Sequence, residues 1–344
     1  MVPLERLLVL GAGAAQLGLL EAARARGLFV IAVDRDPAAP GFAYADRRAI
    51  VSVDDEPALE RLAEAERIDG VIGPGADPPV GAAARIAARL GLPHPLSPET
   101  AVLSTSKLRQ RERLAEAGVP QTGWKVVSTP DEVVGVPCLV RPSDRQGRRA
   151  RALVRSSREL RAAVTAALRA SRIGVCLVEE LVEEPRVNVT AFSRDGVFHP
   201  LAATDRVAEA ELWESTNAAP AIALARDAVE ALGIREGPSV TRVRLDPEGP
   251  KVLDVYAGVG AGEAELCRTA VGIDLYGLAL ASALGEPVSE RRLRARRRAE
   301  AACVRFLPDG EAVLATGATR DEALERATCA AECVRFAAAD AQVV

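Results

Sequence analysis

The sequence predicts an α/β first part followed by a mainly antiparallel α+β remainder. Three observations carry this. Short apolar runs alternate with helical segments at close spacing over roughly the first 97 residues. After Pro120 the pattern changes to alternating strands joined by hairpin turns. At 344 residues the chain has room for two to three domains, at about 150 residues each.

The elements follow in order. "RLLVL" at 6–10 reads as a buried parallel strand, "GAGAAQLG" as the turn after it, and an Ala/Leu-rich helix runs to about Arg26. "FVIAVDRD", "AIVSV" at 49–53 and "GVIGPG" are further strands. "DEPALERLAEAERI" and "PVGAAARIAARLGL" are the helices between and after them. Such alternation implies right-handed βαβ units, a Rossmann-like arrangement. The glycines are Gly11, Gly13 and Gly18, with Gln16 where a full dinucleotide fingerprint has glycine. Asp34 ends the second strand, so a weak ribose-binding reading stands beside that of a tight strand-to-helix turn.

Residues 96–120 form a helical connector. Ser97 and Pro98 start its first helix, Ser104 or Thr105 is expected to cap a second, and Gly118 with Pro120 ends it. Beyond it, "WKVVS", "CLVRP", "RALVRS", "VCLVEEL" and "VNVTAFSRDGVFHPLAATDR" read as strands, with a helix "SRELRAAVTAALRA" among them. Asp195-Gly196 and Asp246-Pro247-Glu248-Gly249 are the hairpin turns. The tail carries the helices "AIALARDAVEALGI" and "DLYGLALASALG". It also carries the tetrapeptide "CVRF" twice, at 303 and 333, both expected as strands of one sheet.

Composition is that of a globular protein, 49% hydrophobic and 27% charged, with net charge −4. This balance disfavours a general nucleic-acid binder. Lysine is scarce: Lys107, Lys125 and Lys251 leave 41 arginines among 44 basic residues. Six scattered cysteines form no C-x-x-C pair, and His94 and His199 lie far apart, which disfavours a zinc site. Reduced, mostly buried thiols and no recognisable signal or spanning segment point to the cytoplasm and away from a membrane.

Two basic stretches stand out. "CLVRPSDRQGRRARALV" at 138–154 carries Arg141, Asp144, Arg145, Arg148 and Arg149 in a loop between two apolar runs. It reads as a phosphate cradle, the remains of one, or a solvated hairpin tip. "RRLRARRR" at 291–298 reads as a solvated face, with an RNA or acidic-partner patch as the alternative.

The order of these parts resembles the ATP-grasp superfamily over nearly the whole chain, in its carboxylate–amine ligase and carbamoyl-phosphate synthase branches. The resemblance rests on "SKLRQRERLAEAGVP", the 138–154 loop, "CLVEELVEEP" and "GPSVTRVRLDPEGPKVLDVYAGVGAG". It implies a Rossmann-like domain at 1–97, a helical connector at 98–124, a small α+β nucleotide lid at 125–183 and a large α+β unit at 184–344. It also implies ATP and magnesium, a small carboxylate or amino-acid substrate, and an acyl phosphate captured by an amine or thiol. A homodimer or a partner enzyme is left open.

By the same resemblance Lys107 and Arg141 reach the phosphates, and Gln146, Gly147 and Arg148 belong to the loop folded over them. Glu179, Glu180 and Leu181 hold adenine. Asp254 is the surviving magnesium ligand, with Glu263 and Glu265 as further oxygen donors. The departures are equally specific. Arg141 replaces a lysine, Ala150 a glycine, Glu184 a frequent glycine and Arg186 the ribose-binding acid. Arg242 replaces the first metal carboxylate, Tyr256 the metal asparagine and Gly258 a substrate arginine, while a Gly260-x-Gly262 turn survives. Three functions follow as alternatives: an active ligase with a relaxed site built on Arg242 and Asp254, a non-catalytic relative that binds a ligand or partner, and a nicotinamide enzyme using the first domain.

Overall fold

The computed structural model describes residues 4–74, 79–132, 135–143, 151–181, 186–307 and 312–340. Three sheets organise them. The first contains β1 (Arg6–Leu10), β2 (Phe29–Asp34), β3 (Arg47–Ile50) and β4 (Gly70–Ile72), all parallel in the order β3-β2-β1-β4. Leu7 to Leu10 of β1 are fully buried because both faces of the sheet are covered. Leu8 and Leu10 pack with α2 (Glu56–Glu66) and α3 (Pro79–Leu90), whereas Leu7 and Val9 face α1 (Leu17–Ala25).

The loop after β1 has structural work. Asp34 accepts hydrogen bonds from the backbone N–H of Ala12 (2.9 Å) and Asp36 (3.0 Å), so both its oxygens are engaged. Gly18 lets α1 approach a later helix. A Cβ at Gly18 would lie 2.4 Å from the Tyr276 hydroxyl. The tight-turn reading accounts for these residues without a dinucleotide.

The connector folds as α4 (Pro98–Thr105) and α5 (Lys107–Glu116). Ser97 caps α4, its Oγ accepting from Thr100 N at 3.2 Å. The cap of α5 is Ser106, not Ser104 or Thr105. Those two hydroxyls donate back to Thr100 O and Ala101 O instead (2.9 and 2.7 Å), as Ser and Thr inside a helix do.

The second sheet comprises β5 (Trp124–Val127), β6 (Cys138–Pro142), β7 (Ala152–Val154) and β8 (Cys176–Glu180), antiparallel in the order β5-β8-β6-β7. Cys138, Val140, Val154, Cys176 and Val178 pack against α6 (Ser157–Ala170). The two-residue period of the strands therefore turns Leu139, Arg141, Leu153 and Glu179 to the other face.

The third sheet has seven antiparallel strands: β9 (Arg186–Arg194), β10 (Val197–Val207), β11 (Ala210–Trp213), β12 (Gly237–Asp246), β13 (Gly249–Ala257), β14 (Ala301–Phe306) and β15 (Ala312–Gly317). Their order is β13-β12-β9-β10-β11-β14-β15. Asp195 and Gly196 both take positive φ (54° and 79°) in the β9–β10 turn, as a tight hairpin demands. One face carries α7 (Ala218–Ala231). The other carries α8 (Ala261–Val271) and α9 (Leu275–Ala283), and α9 shares a core with α1 of the first domain.

Two further readings are corrected. The second "CVRF" lies in α11 (Arg320–Asp340), not in a strand. Ala323, Ala327 and Ala331 recur every four residues and are all buried, so the segment leading into the tetrapeptide follows a helical period. Gly260-x-Gly262 is no free turn: Gly260 caps α8 and Gly262 sits within it against the Phe306 ring. The thiols are mostly buried, as expected: four are buried and Cys329 and Cys333 are exposed. The arginine-rich stretch forms only the four-residue α10 (Glu290–Leu293) before continuing as irregular chain. Among the described residues no single helix is long and apolar enough to cross a membrane.

The α1–α9 contact can be tested through its narrowest point. Gly18→Ala is expected to destabilise the chain by about 1–3 kcal/mol through overpacking against Tyr276. Urea unfolding measures this, and an unchanged midpoint would show that the contact is loose.

Candidate functional site

A cavity of about 410 Å³ opens between the second and third sheets. Its lining includes Leu139, Leu153, Leu181 and Leu253, which supply an apolar wall. Five arginines (111, 141, 151, 186 and 242) also line it, against the carboxylates of Glu179, Glu180 and Asp254. The cavity is therefore cationic on balance, with one apolar side.

Asp254 is its electrostatic pivot. It lies on β13 directly opposite Arg242 on β12. Its Oδ1 is 2.7 Å from Arg242 Nε, and its Oδ2 is 3.2 Å from Lys107 Nζ at the start of α5. Burial pushes its carboxyl upward. Arg242, Lys107 and Arg141 outweigh that and hold it well below the usual carboxylate range. Lys107 is only 4% exposed. Burial pulls its pKa down to about 8 against the opposing attraction of Asp254, with Arg242 and Arg141 adding to the fall.

Glu179, also 3% exposed, is held by two arginines. Arg111 Nη2 lies 2.6 Å from its Oε1, and Arg141 pairs with Oε2. Arg111 further donates to Val252 O (3.2 Å) and Thr122 Oγ1 (3.3 Å). One guanidinium thereby ties the connector to both antiparallel sheets. Glu180 instead pairs with Arg244 at 2.5 Å.

Behind Arg242 lies a second polar layer. Its guanidinium sits 5.6 Å from the Tyr256 ring centre, and the Tyr256 hydroxyl donates to Glu263. Glu211 accepts from Asn188 Nδ2 (2.8 Å), Thr204 Oγ1 (3.3 Å) and Arg206 (3.3 Å). Burial, then the charge of Glu263, raises the pKa of Glu211 to about 7. Arg242 is thus flanked by acids on two sides.

The Nε groups of Arg141 and Arg242 are buried and make no hydrogen bond among the described residues, although each arginine lies beside a carboxylate. The charges are close but the N–H bonds are misaimed. Both arginines line the cavity, so their guanidinium charge faces an incoming anion.

The fold brings Lys107, Arg141, Glu179, Glu180, Leu181, Arg242 and Asp254 to this one place. Gln146, Gly147 and Arg148, with Ala150 and Glu184, lie outside the described residues. Sequence reasoning missed Arg111, Leu139, Leu153 and Leu253. The alternation of "CLVRP" held a signal for Leu139, which shares a face with Arg141. Gly258 lines a separate apolar pocket with Pro238, Ala257 and Val259.

The residues present do not fit a magnesium site. Both oxygens of Asp254 face cations, Tyr256 is bound to Glu263, and Glu265 pairs with Arg268. No group of three His, Cys, Asp or Glu able to hold a metal occurs among the described residues.

Comparison with solved structures identifies the architecture. An L-amino acid ligase from Bacillus licheniformis superposes with a TM-score of 0.76 at 21% identity, covering 88% of this chain and 80% of that one. The ADP complex of N5-carboxyaminoimidazole synthetase from Staphylococcus aureus gives 0.74 at 13%, covering 88% and 82%. The chain has the ATP-grasp fold. In sequence, the chain is 27% identical to the uncharacterised protein y4rH of Sinorhizobium fredii, over 80% of this chain and 63% of that one. It is 30% identical to a formate-dependent phosphoribosylglycinamide formyltransferase of Burkholderia vietnamiensis, over 52% and 46%. The chain thus spans about half to under two thirds of the length of these curated relatives. No protein-family model matches it.

The Arg111–Glu179 clamp sets the cavity of this ATP-grasp fold. Arg111→Met is expected to cost about 3 kcal/mol, because it leaves a buried carboxylate short of a partner. Chemical denaturation measures it, and a loss below about 1 kcal/mol would show that Arg141 suffices alone.

Proposed function

We propose that this chain binds ATP in the arginine-lined cavity and descends from ATP-dependent carboxylate–amine or thiol ligases, with reduced or altered catalysis. The carrying observation is the guanidinium charge of Arg141 and Arg242 on the cavity lining, beside an apolar leucine wall. Adenine fits the wall of Leu139, Leu153, Leu181 and Leu253. The phosphates fit Lys107, Arg141 and Arg242, whose charges neutralise them directly. The ligase-like resemblance supports a small carboxylate or amino acid as the second ligand.

Arg242 takes over the charge that magnesium would supply. Two unit charges at about 4 Å interact by roughly 4 kcal/mol at an effective dielectric near 20. A divalent ion placed beside Arg242 would meet about twice that repulsion. Magnesium-dependent turnover is therefore expected to be weak or absent. The same geometry favours a second reading, a non-catalytic relative that binds nucleotide without consuming it. An ADP-forming assay with a panel of amino acids separates the two. Six free thiols, four of them buried, fit a reducing compartment, and we assign the chain to the cytoplasm.

Calorimetry with ATP tests the placement. Lys107→Ala is expected to weaken binding about tenfold, the scale of one charge-assisted hydrogen bond. The protonated amine holds the anion, so wild-type affinity should fall as pH rises through about 8. Unchanged affinity in the variant, together with a flat pH profile, would refute the phosphate position.

A further inference from the structure

The arginines of 291–298 remain outside the account so far. They flank a second groove of about 700 Å³ that shares no lining residue with the nucleotide cavity. Its walls come from α1, α8, α9, α10 and the chain on either side of α10. Four arginines line it (26, 268, 292 and 298), against Asp274 and Glu286. Arg26 pairs with Glu286, and Arg268 with Glu265 outside the lining. Arg292 and Arg298 have no ion pair among the described residues.

The backbone holds this arrangement in place. Arg296 N and Arg298 N donate to Val271 O and Ala270 O at the end of α8, both at 2.8 Å. The irregular segment 294–299 is thereby tied to the helix end. Arg298 covers Gly272, where a Cβ would come within 2.4 Å of its Nε. Arg297 serves a different surface, 5.1 Å from the Trp213 ring centre and 3.4 Å from Glu214. Arg291, Arg294 and Arg296 are exposed and likewise make no ion pair among the described residues.

Five arginines within eight residues thus make no ion pair among the described residues, on a chain whose net charge is −4. Concentrated like charge is unfavourable in the free protein and is relieved by an opposite surface. We propose that this groove docks an acidic segment of a partner protein, held by Arg292 and Arg298, with Arg291, Arg294 and Arg296 along the rim. A nucleic acid fits less well. No aromatic ring lines the groove to stack a base, and Asp274 and Glu286 would face its phosphates. Ala22 and Ala25 add small side chains to its lining, which leave room for a peptide.

Fluorescence anisotropy on the full chain tests this with a labelled decaglutamate peptide and a labelled oligothymidylate of equal charge. The peptide is expected to bind saturably, to weaken as salt rises and to be indifferent to saturating ATP. Arg292→Ser with Arg298→Ser should weaken it about tenfold, as loss of close charge pairs does. The corresponding lysine pair should retain most of the binding. Arg291→Ser with Arg294→Ser, at exposed positions, provides a second reading should the first pair fail to fold, and should weaken binding about threefold. No saturable peptide binding, unchanged binding in a folded serine pair, displacement by ATP, or equally tight oligothymidylate binding with the same arginine dependence would each overturn the proposal.

Discussion

Asp254, held between Lys107 and Arg242, is the interaction on which the site depends. All three belong to different elements, α5, β12 and β13, and the buried carboxylate lies between a buried amine and a partly exposed guanidinium. Removing a buried charge from its partner costs several kcal/mol, so the three are retained together or lost together. Each Asp254 oxygen also faces a cation, Arg242 or Lys107, which opposes a metal there. Arg242 is anchored further by the Tyr256 ring and by the acidic layer of Glu263 and Glu211. It behaves as a fixed internal cation.

A second clamp sets the shape of the cavity around that pivot. Glu179 sits on β8 with Arg111 from the connector on one side and Arg141 from β6 on the other. Arg111 continues to the carbonyl of Val252 on β13. The distance between the small and the large antiparallel sheets is thus referred to one buried guanidinium. Glu179 is spent on this clamp, which leaves the leucine wall and the segment at Glu180 and Leu181 to meet a base.

The parallel first sheet was legible because β1 is buried on both faces, which yields an unbroken apolar run. The hairpins were legible from Asp-Gly turn chemistry, and Asp195-Gly196 takes the positive φ pair that such a turn needs. The second "CVRF" was misread because four residues fit either period. Only the flanking alanines, at intervals of four, decide it. The charges of the site were readable from Lys107, Arg141, Arg242 and Asp254 once the order of the parts was seen. Arg111 was not, since one arginine among 41 carries no local mark of burial. Ser106 was missed as a cap because three hydroxyl residues in a row, 104–106, compete for the role. The acid layer around Glu211 joins residues far apart in sequence, and no local pattern announces it.

The central claim is that Arg242 stands in for a metal. Crystals soaked with ATP and Mn²⁺, with diffraction collected at the manganese edge, test it directly. The account predicts nucleotide density with phosphate oxygens against Arg242 and Lys107, and no anomalous peak at the Asp254 carboxylate. An anomalous peak at coordination distance from Asp254, with Arg242 swung away, would contradict it.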